Sequence, residues 1–197
     1  PPRSTPKPSS AASDVYKRQI IAGIDYSMSC PSLCIFDTEL DFTFQNCHFY
    51  YLIDKKTKII EEGNIHGEYY SKDTENVKRF DHISDWAITI LKNQKVSHVY
   101  LEGYSMGSRG RVFHIAENTG VLKQKIYKAG ITFEVIPPST WKKEVVGKGN
   151  ADKQHVYESM NVDLKPIFKS KSITSPINDI ADSYFICKYG SLTSHSQ

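Results

Sequence analysis

Runs of apolar and polar residues divide the chain into strands followed by helices. Five strands are predicted from short apolar runs, at 20–25, 32–37, 42–53, 96–101 and 131–136, the first two forming a hairpin. Helical spacing of apolar residues predicts amphipathic helices at 76–93 and 111–129. Further helices are expected at 139–146, 151–160 and 176–189, whereas the polar stretch 61–75 predicts a loop. This order of elements predicts an α/β fold, with a mixed five-stranded sheet flanked by helices.

The folded domain is expected to span residues 20–190. Residues 1–19 contain four of the nine prolines and no apolar periodicity, so we expect a disordered tail, and its end resembles a non-native adaptor sequence. A second short tail is expected at 191–197. No apolar run approaches the roughly 20 residues of a membrane helix, and the N-terminus lacks an apolar signal segment, so we expect a cytoplasmic protein.

Charge is distributed unevenly along the chain, although the net charge is only +3. Residues 20–102 carry 8 basic and 13 acidic side chains, whereas residues 109–171 carry 12 basic and 6 acidic ones. The basic stretch favours a surface that faces a polyanion, although lysines on solvated helix faces explain the charge equally well. The four cysteines lack C-x-x-C spacing and do not indicate a zinc site.

Four acidic residues occur where carboxylates from separate elements could converge. Asp25 ends the first predicted strand and Glu102 follows the fourth, and ligands of α/β sheets bind at the carboxyl ends of strands. Asp179 and Asp182 are three residues apart on the last helix, so they share one face. Each acid alone has an ordinary explanation as a turn or surface residue. Together they would repel one another without a cation, and hard oxygen ligands favour magnesium or manganese.

Four motifs resemble those of one protein family: Gly23-Ile24-Asp25, Tyr100-Leu101-Glu102, the stretch from Trp141 to Lys153, and Asp179-Ile180-Ala181-Asp182. They resemble the RuvC family of Holliday junction resolvases, which belongs to the RNase H-like superfamily. The resemblance covers residues 20–190 and is closest to the resolvase-like proteins of tailed bacteriophages. Its most specific part is the third motif, whose glycines at 147 and 149 are followed by Ala151 and Lys153.

This resemblance implies an RNase H-like, RuvC-like fold and a metal-dependent endodeoxyribonuclease. Such an enzyme resolves four-way DNA junctions by paired phosphodiester hydrolysis, in recombination, repair or phage DNA processing. The resemblance also implies a twofold homodimer on branched DNA, in a bacterial or phage-infected cell. Two Mg²⁺ ions, for which Mn²⁺ would substitute, are implied to bind four catalytic acids: Asp25, Glu102, Asp179 and Asp182. Lys142 and Lys153 correspond to the basic residues that hold or polarise the scissile phosphate.

The loop after Glu102 and the lysine-rich motif supply the predicted DNA-binding residues. Bacterial members of the family place an aromatic residue at the position of Ser105, so base stacking by the preceding Tyr104 is a hypothesis. Arginines framed by glycines suit contacts to phosphates, although surface arginines at a helix start would look the same. The predicted DNA-binding set is Tyr104, Arg109, Arg111, Lys143 and Lys148.

Three other functions fit parts of the sequence. Sugar kinases and actin-like ATPases also begin with a hairpin and an aspartate, but they need a second glycine-rich hairpin and a longer chain. A catalytically inactive junction-binding accessory protein would not need the intact acids and both lysines. A general branched-DNA or flap nuclease, or one acting on RNA-containing hybrids, stays open because fold and metals do not choose the substrate.

Overall fold

The fold is given by a computed structural model that describes residues 18–72, 74–104, 112–160 and 173–194. The predicted N-terminal tail lies outside these residues apart from Arg18 and Gln19. Both are held against the end of the second strand. The Arg18 guanidinium lies 2.6 Å from the Asp37 carboxylate, and the Gln19 carbonyl accepts the backbone N–H of Thr38.

Within the described residues, seven strands form one mixed sheet: β1 (Ile20–Asp25), β2 (Ser32–Asp37), β3 (Cys47–Ile53), β4 (Glu61–Glu62), β5 (Ile65–Tyr69), β6 (His98–Glu102) and β7 (Thr132–Ile136). Their order across the sheet is β4-β5-β3-β2-β1-β6-β7. β1, β2 and β3 run antiparallel in succession, so the predicted hairpin is present. β6 and β7 extend the sheet in parallel on the other side of β1.

Five α-helices accompany the sheet in the described ranges: α1 (Asn76–Asn93), α2 (Val112–Lys128), α3 (Pro138–Trp141), α4 (Lys153–Ser159) and α5 (Ile177–Ser194). α1 has the predicted bounds, and α2 lies inside its predicted range. The helix predicted at 139–146 is instead the short α3 followed by a π-helical turn, Lys142–Val146. No described helix combines the length and apolar character needed to cross a membrane.

The sheet has an apolar core on each face. Side chains alternate between the faces along a strand, so Ile21 of β1 packs in the core beneath α5, with Phe185. Ile24 faces the opposite core, where it packs with Ile83 of α1 and Leu122 of α2. The apolar stripe of α2 is therefore used in the core. These layers confirm the predicted α/β class.

The predicted loop at 61–75 was wrong in part, because it contains β4 and β5. β5 pairs in parallel with β3 at the side of the sheet. Its only fully buried side chain is Ile65, so it lacks the apolar alternation that predicts a strand. Gly67 leaves room for the Tyr51 side chain, since a Cβ at Gly67 would overlap the Tyr51 hydroxyl group. The sheet thus has seven strands rather than the predicted five.

The last helix is longer than the sequence pattern predicted. α5 continues to Ser194 instead of ending at Tyr189, so residues 191–194 are helical rather than part of a tail. The Ser194 hydroxyl lies 2.8 Å from the Tyr100 hydroxyl of β6. Gly190 lets the Tyr100 ring approach, because a Cβ at Gly190 would lie 2.2 Å from that ring. These tertiary contacts extend the helix beyond its own apolar pattern.

Candidate active site

Asp25 and Glu102 lie side by side at one edge of the sheet. β1 and β6 are parallel, and their register pairs Ile24 with Leu101. The next residue of each strand is its acidic terminal residue, so both carboxyl groups leave the sheet at the same edge. Each is partly buried. The structure therefore brings together the two acids that the sequence placed at strand ends.

The helix α5 brings Asp179 and Asp182 to the same edge. It packs closely across β1 because Gly23 has no side chain, and a Cβ there would lie 2.2 Å from the backbone nitrogen of Cys187. A buried contact between the hydroxyl oxygens of Ser32 and Ser183, 3.0 Å apart, also joins β2 to α5. The first turns of α5 therefore lie next to the carboxyl end of β1.

The four acids lie close enough together for their charges to affect the pKa of Asp25. Burial raises the pKa of Asp25 well above its ordinary value, and the negative charges of Glu102, Asp179 and Asp182 raise it further. Burial, followed by repulsion from Glu102, raises the pKa of Asp182 to about 7. Lys153 opposes these effects at both aspartates. The charge of Lys153 is therefore too small an effect to return either pKa to its ordinary value.

The donor atoms of this cluster suit a hard divalent cation. Asp179 is almost fully buried, and its Oδ1 accepts a hydrogen bond of 3.2 Å from Asn178 Nδ2. Its Oδ2 is buried with no hydrogen-bond partner, although Ser175 and Cys30 lie close enough to influence the pKa. In the described part of the chain, no three His, Cys, Asp or Glu side chains form a ready-made metal-binding group. The residues nevertheless fit a cation, since it would partner Asp179 Oδ2 and offset the mutual repulsion.

Trp141 positions Glu102. Its indole is fully buried, and Nε1 donates a hydrogen bond of 3.0 Å to Oε1 of Glu102. Burial raises the pKa of Glu102, and this hydrogen bond opposes the rise because it favours the ionised form. In the sequence, Trp141 stands out only as the start of the lysine-rich motif. Its role becomes visible only once the indole is known to be buried, because a buried indole N–H requires a hydrogen-bond acceptor.

The two predicted catalytic lysines flank one loop in the sequence: Lys142 precedes it and Lys153 follows it. Lys142 Nζ donates a hydrogen bond of 3.0 Å to the carbonyl of Ala151, and its charge lowers the pKa of Glu102 and Asp182. Lys153 is the exposed first residue of α4, which Asp152 caps by accepting the backbone N–H of His155. Its charge lowers the pKa of each acid of the cluster.

The segment between these lysines is shaped by glycine. Gly147 has a φ of +88°, in the left-handed region that favours glycine, and it ends the π-helical turn. Lys143 and Lys148 are exposed on this segment, and their role in DNA binding stays a prediction. They lie outside the groove described next.

A groove of about 600 Å³ extends from the acids across the surface. Asp25 and Glu102 line it together with Tyr104, whose side chain is 42% exposed. Arg109 and Arg111 lie outside the described residues. The groove is also lined by three residues that the sequence pattern did not indicate: the cations Lys72 and Arg79, and His114. Lys72 precedes α1, Arg79 lies on α1 and His114 lies on α2, so no local sequence motif links the three residues.

Comparison with known families identifies the chain. The model of the crossover junction endodeoxyribonuclease RuvC matches residues 53–187. The chain belongs to the RuvC family. The match includes Glu102, the stretch from Trp141 to Lys153 and both aspartates of α5, whereas Asp25 precedes it.

Solved structures agree with RuvC membership at the level of the fold. A Thermus thermophilus RuvC structure is 18% identical, with a TM-score of 0.60 over 90% of this chain and 97% of that one. T. thermophilus RuvC in complex with Holliday junction substrate is 13% identical, with a TM-score of 0.60 over 90% and 96%. Fowlpox virus resolvase with substrate Holliday junction DNA is 14% identical, with a TM-score of 0.50 over 89% and 99%. The predicted RNase H-like, RuvC-like fold is confirmed. No curated protein matches the chain in sequence.

Proposed function

We propose that this RuvC-family chain is a structure-selective endodeoxyribonuclease that cuts four-way DNA junctions by hydrolysing phosphodiester bonds. The observation that carries the proposal is the carboxylate cluster at the carboxyl ends of β1 and β6. It combines Asp25 and Glu102 with two aspartates of α5, and it is bordered by the loop that carries Lys142 and Lys153. Family membership supplies the reaction class, and the cluster supplies the groups that the reaction needs.

Each residue of the cluster has a definite role in this proposal. The four carboxylates Asp25, Glu102, Asp179 and Asp182 hold Mg²⁺ through oxygen ligands, with Mn²⁺ as a substitute. Two such ions, when bound, supply an activated water and stabilise the leaving oxygen of the phosphodiester. Trp141 keeps Glu102 ionised and oriented. Lys153 holds a non-bridging oxygen of the scissile phosphate, and Lys142 balances the charge beside Glu102 and Asp182.

DNA reaches the cluster along the groove and the lysine-rich segment. Tyr104 offers an exposed ring beside Glu102 for stacking on an unpaired base. Lys143 and Lys148 contact the backbone of a neighbouring arm, and Arg109 and Arg111 belong to the same proposed DNA-binding set. Contacts of this kind read the shape of a branch more than its sequence.

We test this proposal with three DNA substrates: an immobile four-way junction, a Y-fork and a linear duplex. Wild type and Asp25→Asn are each assayed with Mg²⁺, Mn²⁺ or a chelator. Asp54→Asn is the matched control, because it makes the same chemical change at an exposed carboxylate that lines no part of the groove. We expect paired nicks at symmetric positions of the junction with either metal. Asp25→Asn and the chelator should abolish them, and Asp54→Asn should retain them.

Three results would contradict the proposal. Preferential cutting of the fork would make the protein a general branch nuclease. Tight junction binding without cutting in any metal would make it an accessory protein. Cutting by Asp25→Asn at the wild-type rate would remove Asp25 from the catalytic set.

A homodimer is part of the proposal, because two sites related by a twofold axis would cut opposed strands of a junction. Phe113 and Tyr127 support it, since these large side chains on α2 are 77% and 78% exposed. Light scattering should give about twice the 22.4 kDa chain mass, in the absence of DNA. A monomer that stays monomeric on the junction would contradict this part of the proposal.

A further inference from the structure

The groove is lined by both acidic and basic side chains. Asp25 and Glu102 line it, and so do the cations Lys72 and Arg79 together with His114, a set of three residues that we call the Arg79 end. A cavity that serves only to hold cations at the acids would not need a positive region of its own. The same open space therefore presents two kinds of binding surface to one ligand.

Arg79 is positioned by its neighbours but has no counter-ion among them. Its Nη2 donates a hydrogen bond of 2.8 Å to Oδ1 of Asn76 and lies 3.7 Å from Sδ of Met28. Its Nε is buried with no hydrogen-bond partner. The described residues place no carboxylate within ion-pair distance of this guanidinium.

Other cations of α1 and α2 differ from Arg79 in this respect. Lys78, the preceding residue, lies 2.8 Å from the Glu75 carboxylate. Lys125 of α2 contacts both Asp81 and Asp85, at 2.7 Å and 2.6 Å. A partly buried guanidinium with an unsatisfied N–H is costly without an anion, and arginine matches phosphate oxygens with a two-pronged donor set. The missing partner of Arg79 therefore has the chemistry of a phosphate.

A polar bridge between two helices fixes this end of the groove. Asn76 of α1 accepts the Arg79 hydrogen bond through Oδ1, and its Nδ2 lies 3.4 Å from Nδ1 of His114 in α2. His114 Nδ1 also lies 3.1 Å from the Glu117 carboxylate. Arg79 is thus oriented by a side chain that is itself held across the α1–α2 contact. Such an arrangement reduces the rotamer entropy that binding would otherwise cost.

We propose that the Arg79 end binds a phosphate of the cleaved strand next to the scissile phosphate, with Arg79 as the principal ligand. The inference rests on the proposed function, because it places the scissile phosphate at the acids. The strand then lies along the groove, with one phosphate at the carboxylate cluster and its neighbour at Arg79. Tyr104 and Ile115 supply groove surface for the intervening sugar and base. This contact sets the register of the strand relative to the catalytic groups.

The test replaces single phosphates of the junction by uncharged methylphosphonates, one position at a time on either side of the cut. Wild type is compared with Arg79→Gln, Arg79→Lys and the control Lys78→Gln. Lys78→Gln removes the same charge from the adjacent residue, which does not line the groove and is paired with Glu75. Melting temperatures are measured for every variant, because Arg79 also contacts Asn76 and Met28.

We expect one methylphosphonate next to the cut to slow wild type about 10- to 100-fold, the loss typical of one charge-assisted contact. Arg79→Gln should slow cleavage of the unmodified junction by a similar factor, with a larger effect on KM than on kcat. In this variant, the methylphosphonate at that same position should cause no further slowing. Arg79→Lys should give a smaller defect, because it keeps the charge and loses the two-pronged geometry. Lys78→Gln should keep the wild-type interference pattern.

The outcomes separate this inference from the proposed function. If wild type cuts the junction while Arg79→Gln keeps the full wild-type interference pattern, Arg79 has only a structural role and the inference is wrong. If wild type does not cut at all, the proposed function fails. The phosphate contact of Arg79 can then still be tested by measuring junction affinity at different salt concentrations. Then Arg79→Gln, but not Lys78→Gln, should lower the slope of log affinity against log salt by about 0.7–0.9, the value for one phosphate contact. An unchanged slope would overturn the inference there too.

Discussion

The Nε1 of Trp141 lies 3.0 Å from Oε1 of Glu102 and donates a hydrogen bond to it. This contact joins the motif after β7 to the end of β6, and Trp141 is completely buried. Since burial alone would favour a protonated Glu102, the indole helps to keep this carboxylate available as a ligand. The lysine-rich motif therefore begins with a residue, Trp141, that favours the ionised form of Glu102.

Trp141→Phe should weaken activity without removing any ligand or lysine. It deletes the indole N–H, so we expect a further rise in the pKa of Glu102. Half-maximal activity should then require about 10- to 100-fold more Mg²⁺, the usual effect of losing a partner of a metal ligand. The control is Trp86→Phe, which removes a comparable hydrogen bond of 2.8 Å to Glu68 away from the groove. The measurement is a Mg²⁺ titration of junction cleavage. Equal shifts in both variants would contradict a positioning role for Trp141.

The strands and helices that carry the cluster could be predicted from the sequence because their signals are local. β1 and β2 have uninterrupted buried runs, and α1 has the apolar stripe of a surface helix. β5 could not be predicted in the same way. Its one fully buried residue, Ile65, gives no alternation, and its partner β3 lies outside any local window. The end of α5 likewise depends on Tyr100, which is distant in sequence.

The acidic part of the candidate site could be predicted, because its residues stand at strand ends or at helical spacing. Asp25 and Glu102 meet because parallel strands end at one edge, and this follows from the predicted sheet. The Arg79 end follows from no such rule. Arg79 and His114 lie on different helices and come together only through the packing of α1 on α2. An arginine on an amphipathic helix looks like an ordinary surface residue until its missing counter-ion is seen.

Gly23→Ala should damage both stability and cleavage. The new methyl group would overlap the backbone of Cys187 at 2.2 Å, and rigid backbone cannot yield as a flexible side chain can. We expect a loss of about 1–3 kcal/mol or more, with α5 displaced from β1. Its two aspartates would move with it, so cleavage should fall further than the folded fraction does.

Gly120→Ala is the matched control, because a Cβ there meets nothing within 4 Å on α2. It should stabilise the protein by about 0.5–1 kcal/mol, since alanine is the better helix former. Urea denaturation gives both values, and circular dichroism checks that each variant is folded. A Gly23→Ala protein of wild-type stability and activity would refute the close approach of α5 to β1.

The metal-free protein should become less stable as the pH rises. The pKa of each clustered acid is raised on folding, so the folded protein retains protons that the unfolded chain releases. This contribution is fully present near the ordinary aspartate value of 3.8 and is lost as the pH rises towards the folded value, about 7 for Asp182. In a domain of this size each kcal/mol lost lowers Tm by about 2–4 °C.

Melting curves in chelator from about pH 4 to about pH 7 should show that decline, because the contribution is lost over this range. The decline should be smaller in Asp182→Asn and unchanged in Asp54→Asn. Added Mg²⁺ should raise the wild-type Tm more at the higher pH, because the cation competes with protons for the carboxylates. A Tm that rises with pH in chelator would contradict the burial of these acids.

Lys153→Ala should separate catalysis from binding. Lys153 is exposed at the start of α4, and its charge acts on every acid of the cluster. Removing a charge aimed at the scissile phosphate should lower kcat about 10²- to 10³-fold. Junction affinity should change little, since one phosphate contact is a small part of a large electrostatic total. Lys92→Ala, an exposed lysine near the end of α1, controls for net charge. Single-turnover cleavage and chelator-buffered binding measure the two quantities. Equal losses in both would make Lys153 a docking residue, and the loop after α3 would then serve the DNA backbone rather than the reacting phosphate.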